Sequence, residues 1–110
     1  MPVYAHESDL PVNPSTGHRS GRLIHEAHGA VNGYCIGIGY YDKEEYGQPG
    51  IHEDQEGFYV LEGTGTAKIG DEEFKIRPGT AFIAARRVPH AIKKDPDSPP
   101  VKVLWSHGAV

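Results

Sequence analysis

The sequence holds one cysteine, one methionine and one tryptophan in 110 residues. A lone Cys35 excludes an intrachain disulfide and any cysteine-rich zinc site, and a small, buried apolar role is expected of it. No apolar stretch approaches the ~20 residues of a helical membrane span, so a membrane partner is not expected. Basic residues are also few: 11 Lys and Arg stand against 15 Asp and Glu, for a net charge of −4 with seven His neutral. Nucleic-acid binders draw much of their affinity from neutralising phosphates with a basic face, which excludes that partner. The first 21 residues carry no apolar secretion segment, and a cytoplasmic protein is expected. There is no repeat, no low-complexity tract and no amphipathic helical stretch. The serine-hydrolase pattern Gly-x-Ser-x-Gly is missing, and Gly63-Thr64-Gly65 lacks the later Gly of a dinucleotide loop.

Turn formers, by contrast, are abundant, with fourteen Gly and nine Pro. They cut the chain into short segments, which suits strands better than helices. A chain of this length forms one domain that buries roughly two-thirds of its unfolded surface. Residues 1–21 are polar and carry Pro2, Pro11 and Pro14; they read as an arm, followed by a domain over residues 22–110. From Leu23 to Asp42 the chain is Gly-punctuated and β-like, with Asn32-Gly33 as a two-residue hairpin signal. A helix there would carry Gly29, Gly33, Gly37 and Gly39, each costing about 1 kcal/mol relative to Ala.

A train of strands follows. Phe58–Leu61, Ala67–Ile69 and Phe74–Ile76 are separated by Gly63-Thr64-Gly65 and Gly70-Asp71, and Pro78-Gly79 makes the next turn. Ala81–Ala84 is short and apolar enough to be a buried strand. Asp95–Pro100 reads as a loop, after which Val101, Val103 and Trp105 alternate with Lys102, Leu104 and Ser106 as a strand with one buried face. Even spacing of this kind predicts an all-β sandwich or barrel.

Two stretches go beyond strand pattern: HEDQEGFYVLEGTG at residues 52–65 and GDEEFKIRPGTAFIAARRVPHAI at residues 70–92. Together, and in this order, they resemble the two motifs of the cupin superfamily. In the first motif a His-x-His pair is followed by Glu and then by Gly. His52 stands at the second His, Glu56 follows after three residues and Gly63 after six more. In the second, Gly70-Asp71, Pro78-Gly79 and His90 occupy the matching places. The chain departs from the pattern at Gly50, where the first His would stand. It departs again at Ala85 and Arg87, in place of a Pro and a Gly, and at Lys94, in place of a late Asn.

The resemblance implies a double-stranded β-helix, a jelly-roll barrel, that binds one divalent metal through His52, Glu56 and His90. Two imidazoles and a carboxylate suit Zn, Fe, Mn, Ni or Cu. It further implies action on a small polar or anionic molecule, with isomerase, lyase and dioxygenase chemistry all known on this fold. A non-enzymatic sensor or small-molecule binder is the alternative. Near His90, Arg86 and Arg87 are candidates to clamp an anion, and Tyr59 and Phe82 are candidates to line the pocket. Water or a small anion is expected at the place vacated by Gly50, with Gln48, His25 and His28 as less suitable donors; Gly50→His is then expected to tighten metal binding. His25-Glu26-Ala27-His28 is one residue short of the zinc-protease pattern and lies in a segment that reads as strand. The polar arm and Tyr-rich strands predict a homodimer, for which sedimentation equilibrium should return twice the chain mass of 12.0 kDa.

Overall fold

The turn residues divide the chain into eight strands in the computed structural model, which describes residues 3–14 and 17–108. They are β1 (Gly21–Ile24), β2 (Cys35–Tyr41), β3 (Gln55–Glu62), β4 (Gly65–Ile69), β5 (Glu72–Ile76), β6 (Ala81–Ala84), β7 (His90–Lys94) and β8 (Val101–Gly108). All strand pairs are antiparallel. Five strands form one sheet in the order β1-β2-β8-β3-β6, and three form the other in the order β5-β4-β7. This is the expected all-β jelly roll. The only helical pieces among the described residues are 3₁₀ turns at Glu7–Asp9 and Glu26–His28.

Alternation along each strand builds the core. Phe58 and Val60 of β3 and Val101 and Val103 of β8 face inward from the large sheet. Ala67, Ile76 and Ile92 meet them from the small one, with Ala84, Phe82, Phe74 and Trp105 packed around. Fully burying a side chain such as Val or Ile contributes about 1.5–3 kcal/mol, so this row of fully buried aliphatics carries much of the fold's stability. The segment before β1 lies on the outward face of β2 and β8. His18 stacks on Tyr40 at 5.1 Å, and Glu7 pairs with Lys102 at 3.0 Å.

Three local expectations need correction. Asn32-Gly33 does form a tight turn, with both φ angles positive and the Tyr34 N–H donating to Val31 O. It does not join two paired strands directly, because β1 and β2 pair through Ile24 and Ile36, ten or more residues apart in the chain. Between them, His25–His28 is a 3₁₀ turn rather than strand. Its two imidazoles serve the turn's own backbone: His25 Nδ1 accepts from Ala27 N–H, and His28 Nδ1 accepts from His25 N–H. Finally, β6 is an edge strand and is not buried throughout. Ala84 is buried, but Ile83 is 56% exposed.

Candidate metal centre

Strand register and two backbone ties assemble the site. Glu56 is the second residue of β3, opposite His107 of β8 on one side and Ala84 of β6 on the other. It shares the inward face with Phe58 and Val60, two and four residues on, by the period of two. His90 opens β7 in the facing sheet. His52 lies in the loop before β3. The Arg87 N–H donates to His52 O at 2.8 Å, and Gly50 and His90 exchange both backbone hydrogen bonds at 2.9 Å. The loop is thereby fixed to the segment entering β7.

The side chains converge on one carboxylate. His52 Nε2 lies 3.3 Å and His90 Nε2 3.1 Å from Glu56 Oε1. One donor atom from each of the three falls within 4.8 Å of the others. Glu56 and His90 are buried, whereas the side chain of His52 is 43% exposed. Glu56 Oε1 and His90 Nδ1 are buried without a hydrogen-bond partner. A buried carboxylate oxygen left this way costs several kcal/mol unless a proton or a cation meets it. Two imidazole nitrogens and an orphaned carboxylate oxygen fit a divalent Zn, Fe, Mn, Ni or Cu ion.

A third imidazole, unanticipated from the sequence, joins from β8. His107 Nε2 is 3.3 Å from the other carboxylate oxygen, Glu56 Oε2, and His107 Nδ1 is 2.9 Å from Asp54 Oδ1. A signal for it was present. The alternation Val101, Val103, Trp105 reaches His107 in one further step of two.

The candidate substrate contacts take different places around the centre. Tyr59 lies on the outward face of β3, opposite Ala81 and Leu104, and is 46% exposed. Phe82 stacks on Phe58 at 4.7 Å within the core, one layer below the carboxylate. Arg86 is exposed, and the Arg87 guanidinium pairs with Glu53 at 3.0 Å in solvent. His25 and His28 line a separate hollow with Tyr4 and Leu10.

Two cavities flank the centre instead. One, of about 350 Å³, includes Tyr40, Tyr41, Asp42, Gln48 and His90 in its wall. The other, of about 500 Å³, is lined by Arg22, Cys35, His52, Glu53, Asp54 and His107. Burial, with a smaller push from the Glu56 carboxylate, raises the Tyr41 hydroxyl to about 12. It therefore stays protonated at neutral pH and serves as a donor. Burial likewise raises the Cys35 thiol, so it is no ready nucleophile.

The fold, the two motifs in order and the His-Glu-His convergence agree with a comparison of sequences. A family model described as the cupin domain matches residues 38–107, more than half of the chain. The protein is a cupin. Solved cupin-like structures superpose on it closely. The polyketide cyclase RemF from Streptomyces resistomycificus matches with a TM-score of 0.77 and 21% identity, over 98% of this chain and 80% of that one. A cupin protein from Bacteroides fragilis gives 0.68 and 18%, over 84% and 80%. Salicylate 1,2-dioxygenase from Pseudoaminobacter salicylatoxidans, with gentisate, gives 0.71 and 16%, over 89% of this cupin but 26% of the larger chain. At such identities the likeness shows the fold. A search of curated proteins finds no match. Among the described residues, no helix is long and apolar enough to cross a membrane.

Proposed function

We propose that this cupin holds one divalent metal ion through His52, Glu56 and His90 and acts on a small polar, anionic organic molecule. The observation that carries the reading is the buried, unpartnered Glu56 Oε1 flanked by two imidazole nitrogens at 3.1 and 3.3 Å. Such an ion supplies Lewis-acid polarisation of a carbonyl or carboxylate, or oxygen chemistry if it is redox-active. The chain's own residues provide the rest. Arg22 stands in the wall of the cavity that also exposes His52, where its guanidinium suits an anionic group. On the other side, the protonated Tyr41 hydroxyl and Gln48 offer hydrogen bonds. The same reading takes the protein as a cytoplasmic homodimer. The exposed Tyr59, Leu61, Ile83 and Leu104 of the large sheet offer an apolar surface to a second copy.

Elemental analysis of protein purified without added metal or chelator tests the reading. About one equivalent of transition metal is expected. It should fall sharply in the single variants His52→Ala, Glu56→Ala and His90→Ala, whose circular dichroism should keep the β signature. Stoichiometric metal retained by the triple variant would overturn the assignment. Iron or manganese would direct attention to oxygen chemistry, and zinc to Lewis-acid chemistry.

A further inference from the structure

Gly50 leaves the motif one imidazole short. A Cβ built on Gly50 would stand 2.8 Å from His90 Nε2, so a side chain there would first have to displace the His90 imidazole. A donor that reaches the carboxylate from another strand would not.

We propose that His107, oriented by Asp54, is a further metal ligand of this cupin and takes the role that Gly50 cannot. The inference rests on the His52–Glu56–His90 reading and adds to it a residue outside both motifs. Register is the first support. Cys35, His107, Glu56 and Ala84 are cross-strand neighbours on β2, β8, β3 and β6, so all four side chains project from the same inward face. His107 is thereby aimed at the carboxylate by three strands. The ring of His52 meets that of His107 edge-on at 4.7 Å, so the two imidazoles border one space.

Hydrogen-bond chemistry is the second support. His107 Nδ1 lies 2.9 Å from Asp54 Oδ1, which turns the other ring nitrogen, Nε2, toward the centre, 3.3 Å from Glu56 Oε2. A carboxylate holding the remote ring nitrogen of a ligating His is a common way of fixing its tautomer and raising its basicity. In this site it distinguishes His107, since His90 Nδ1 has no such partner. In the rival arrangement His107 only hydrogen-bonds to Asp54 and Glu56, and the ion is held by His52, Glu56 and His90, two imidazoles and a carboxylate.

Zinc K-edge X-ray absorption on the full chain loaded with one equivalent of Zn²⁺ separates them by counting imidazoles. Three are expected in the parent protein and two in His107→Ala. Competition against a chromogenic chelator should show affinity lowered by more than about 100-fold in His107→Ala. In Asp54→Asn the loss should be about 10–100-fold, as for other groups that orient a ligand, with three imidazoles retained. Two imidazoles in the parent, or unchanged affinity in His107→Ala, would overturn the assignment of His107 while leaving His52, Glu56 and His90 in place. A parent that takes up no zinc, cobalt or iron would overturn both. The parent count needs no substitution, so a variant that fails to fold does not spoil the test.

Discussion

The two oxygens of the Glu56 carboxylate are furnished in different ways. Oε1 faces His52, which a loop carries, and His90, at the very start of a strand in the opposite sheet. Oε2 faces His107, which stands near the end of β8, the central strand of the large sheet, directly opposite Glu56 and in contact with Asp54. On the Oε1 side His52 depends on a single backbone tie from Arg87, and the pair of bonds between Gly50 and His90 joins its loop to the first residue of β7. The Oε2 side depends on continuous register along β2, β8 and β3. A donor fixed by register moves only if the sheet moves, whereas one fixed by a loop can shift while the barrel stays folded.

Substitutions at three positions bear on that contrast. The largest effect is expected on the register-held side. A Cβ at Gly37 would collide with the Trp105 indole and with Gly21 O of the neighbouring strand, and Trp105 in turn packs edge-on against His107 at 5.2 Å. Gly37→Ala should lower unfolding stability by about 3 kcal/mol, the upper part of the range for overpacking, read from the midpoint of urea denaturation. A loss under 0.5 kcal/mol would show that β1 and Trp105 can give way.

An intermediate effect is expected on the loop-held side. Gly50→Ala should push the His90 imidazole aside and weaken metal binding about 10–100-fold, at a stability cost of about 1–2 kcal/mol. Chelator competition and the same denaturation measurement read the two quantities separately. By the same argument Gly50→His should weaken binding and not tighten it, because the added ring and His90 compete for one space. Tighter binding in either variant would mean that His90 yields without leaving the ion.

The smallest effect is expected at Arg87, whose φ of +63° lies in the left-handed region. The cupin motif has Gly there, and a side chain in that conformation costs about 1 kcal/mol. Its ion pair with Glu53 is in solvent and offsets little of this. Arg87→Gly should keep the N–H that holds His52 O and raise stability by about 0.5–1 kcal/mol, with metal affinity unchanged. A drop in metal affinity would give the guanidinium a part in the site.

The same contrast explains what could be read from the sequence. The resemblance to the two cupin motifs pointed to His52, Glu56 and His90, whose donor atoms the structure brings within 4.8 Å of one another. Strand alternation located the core positions Val101 and Val103, and one further step of two beyond Trp105 reaches His107. Loop geometry was harder to read. Asn32-Gly33 turns as its chemistry requires, yet the backbone bonding of His25 and His28 converts the preceding segment into a 3₁₀ turn that no period announces. Edge position was also hidden: Ala81–Ala84 is apolar like a central strand, but only its place in the sheet exposes Ile83. Of the candidate substrate contacts, Arg86 and Arg87 were chosen by nearness to His90 in the chain and Tyr59 and Phe82 as aromatic residues able to line a pocket; strand parity turns Tyr59 outward.

The place of β8 has a consequence for how the barrel comes into being. β2 and β3 are not hydrogen-bonded to each other; both pair with β8, which follows them in the chain. Without β8 the large sheet would be two separate ribbons, β1-β2 and β3-β6, each with a bare edge. Such edges can recruit foreign strands, and pairings between residues forty or more positions apart are of the kind that slows folding. The strand that carries His107 is therefore also the one that closes two ribbons into a single sheet, so a complete metal site requires a joined one.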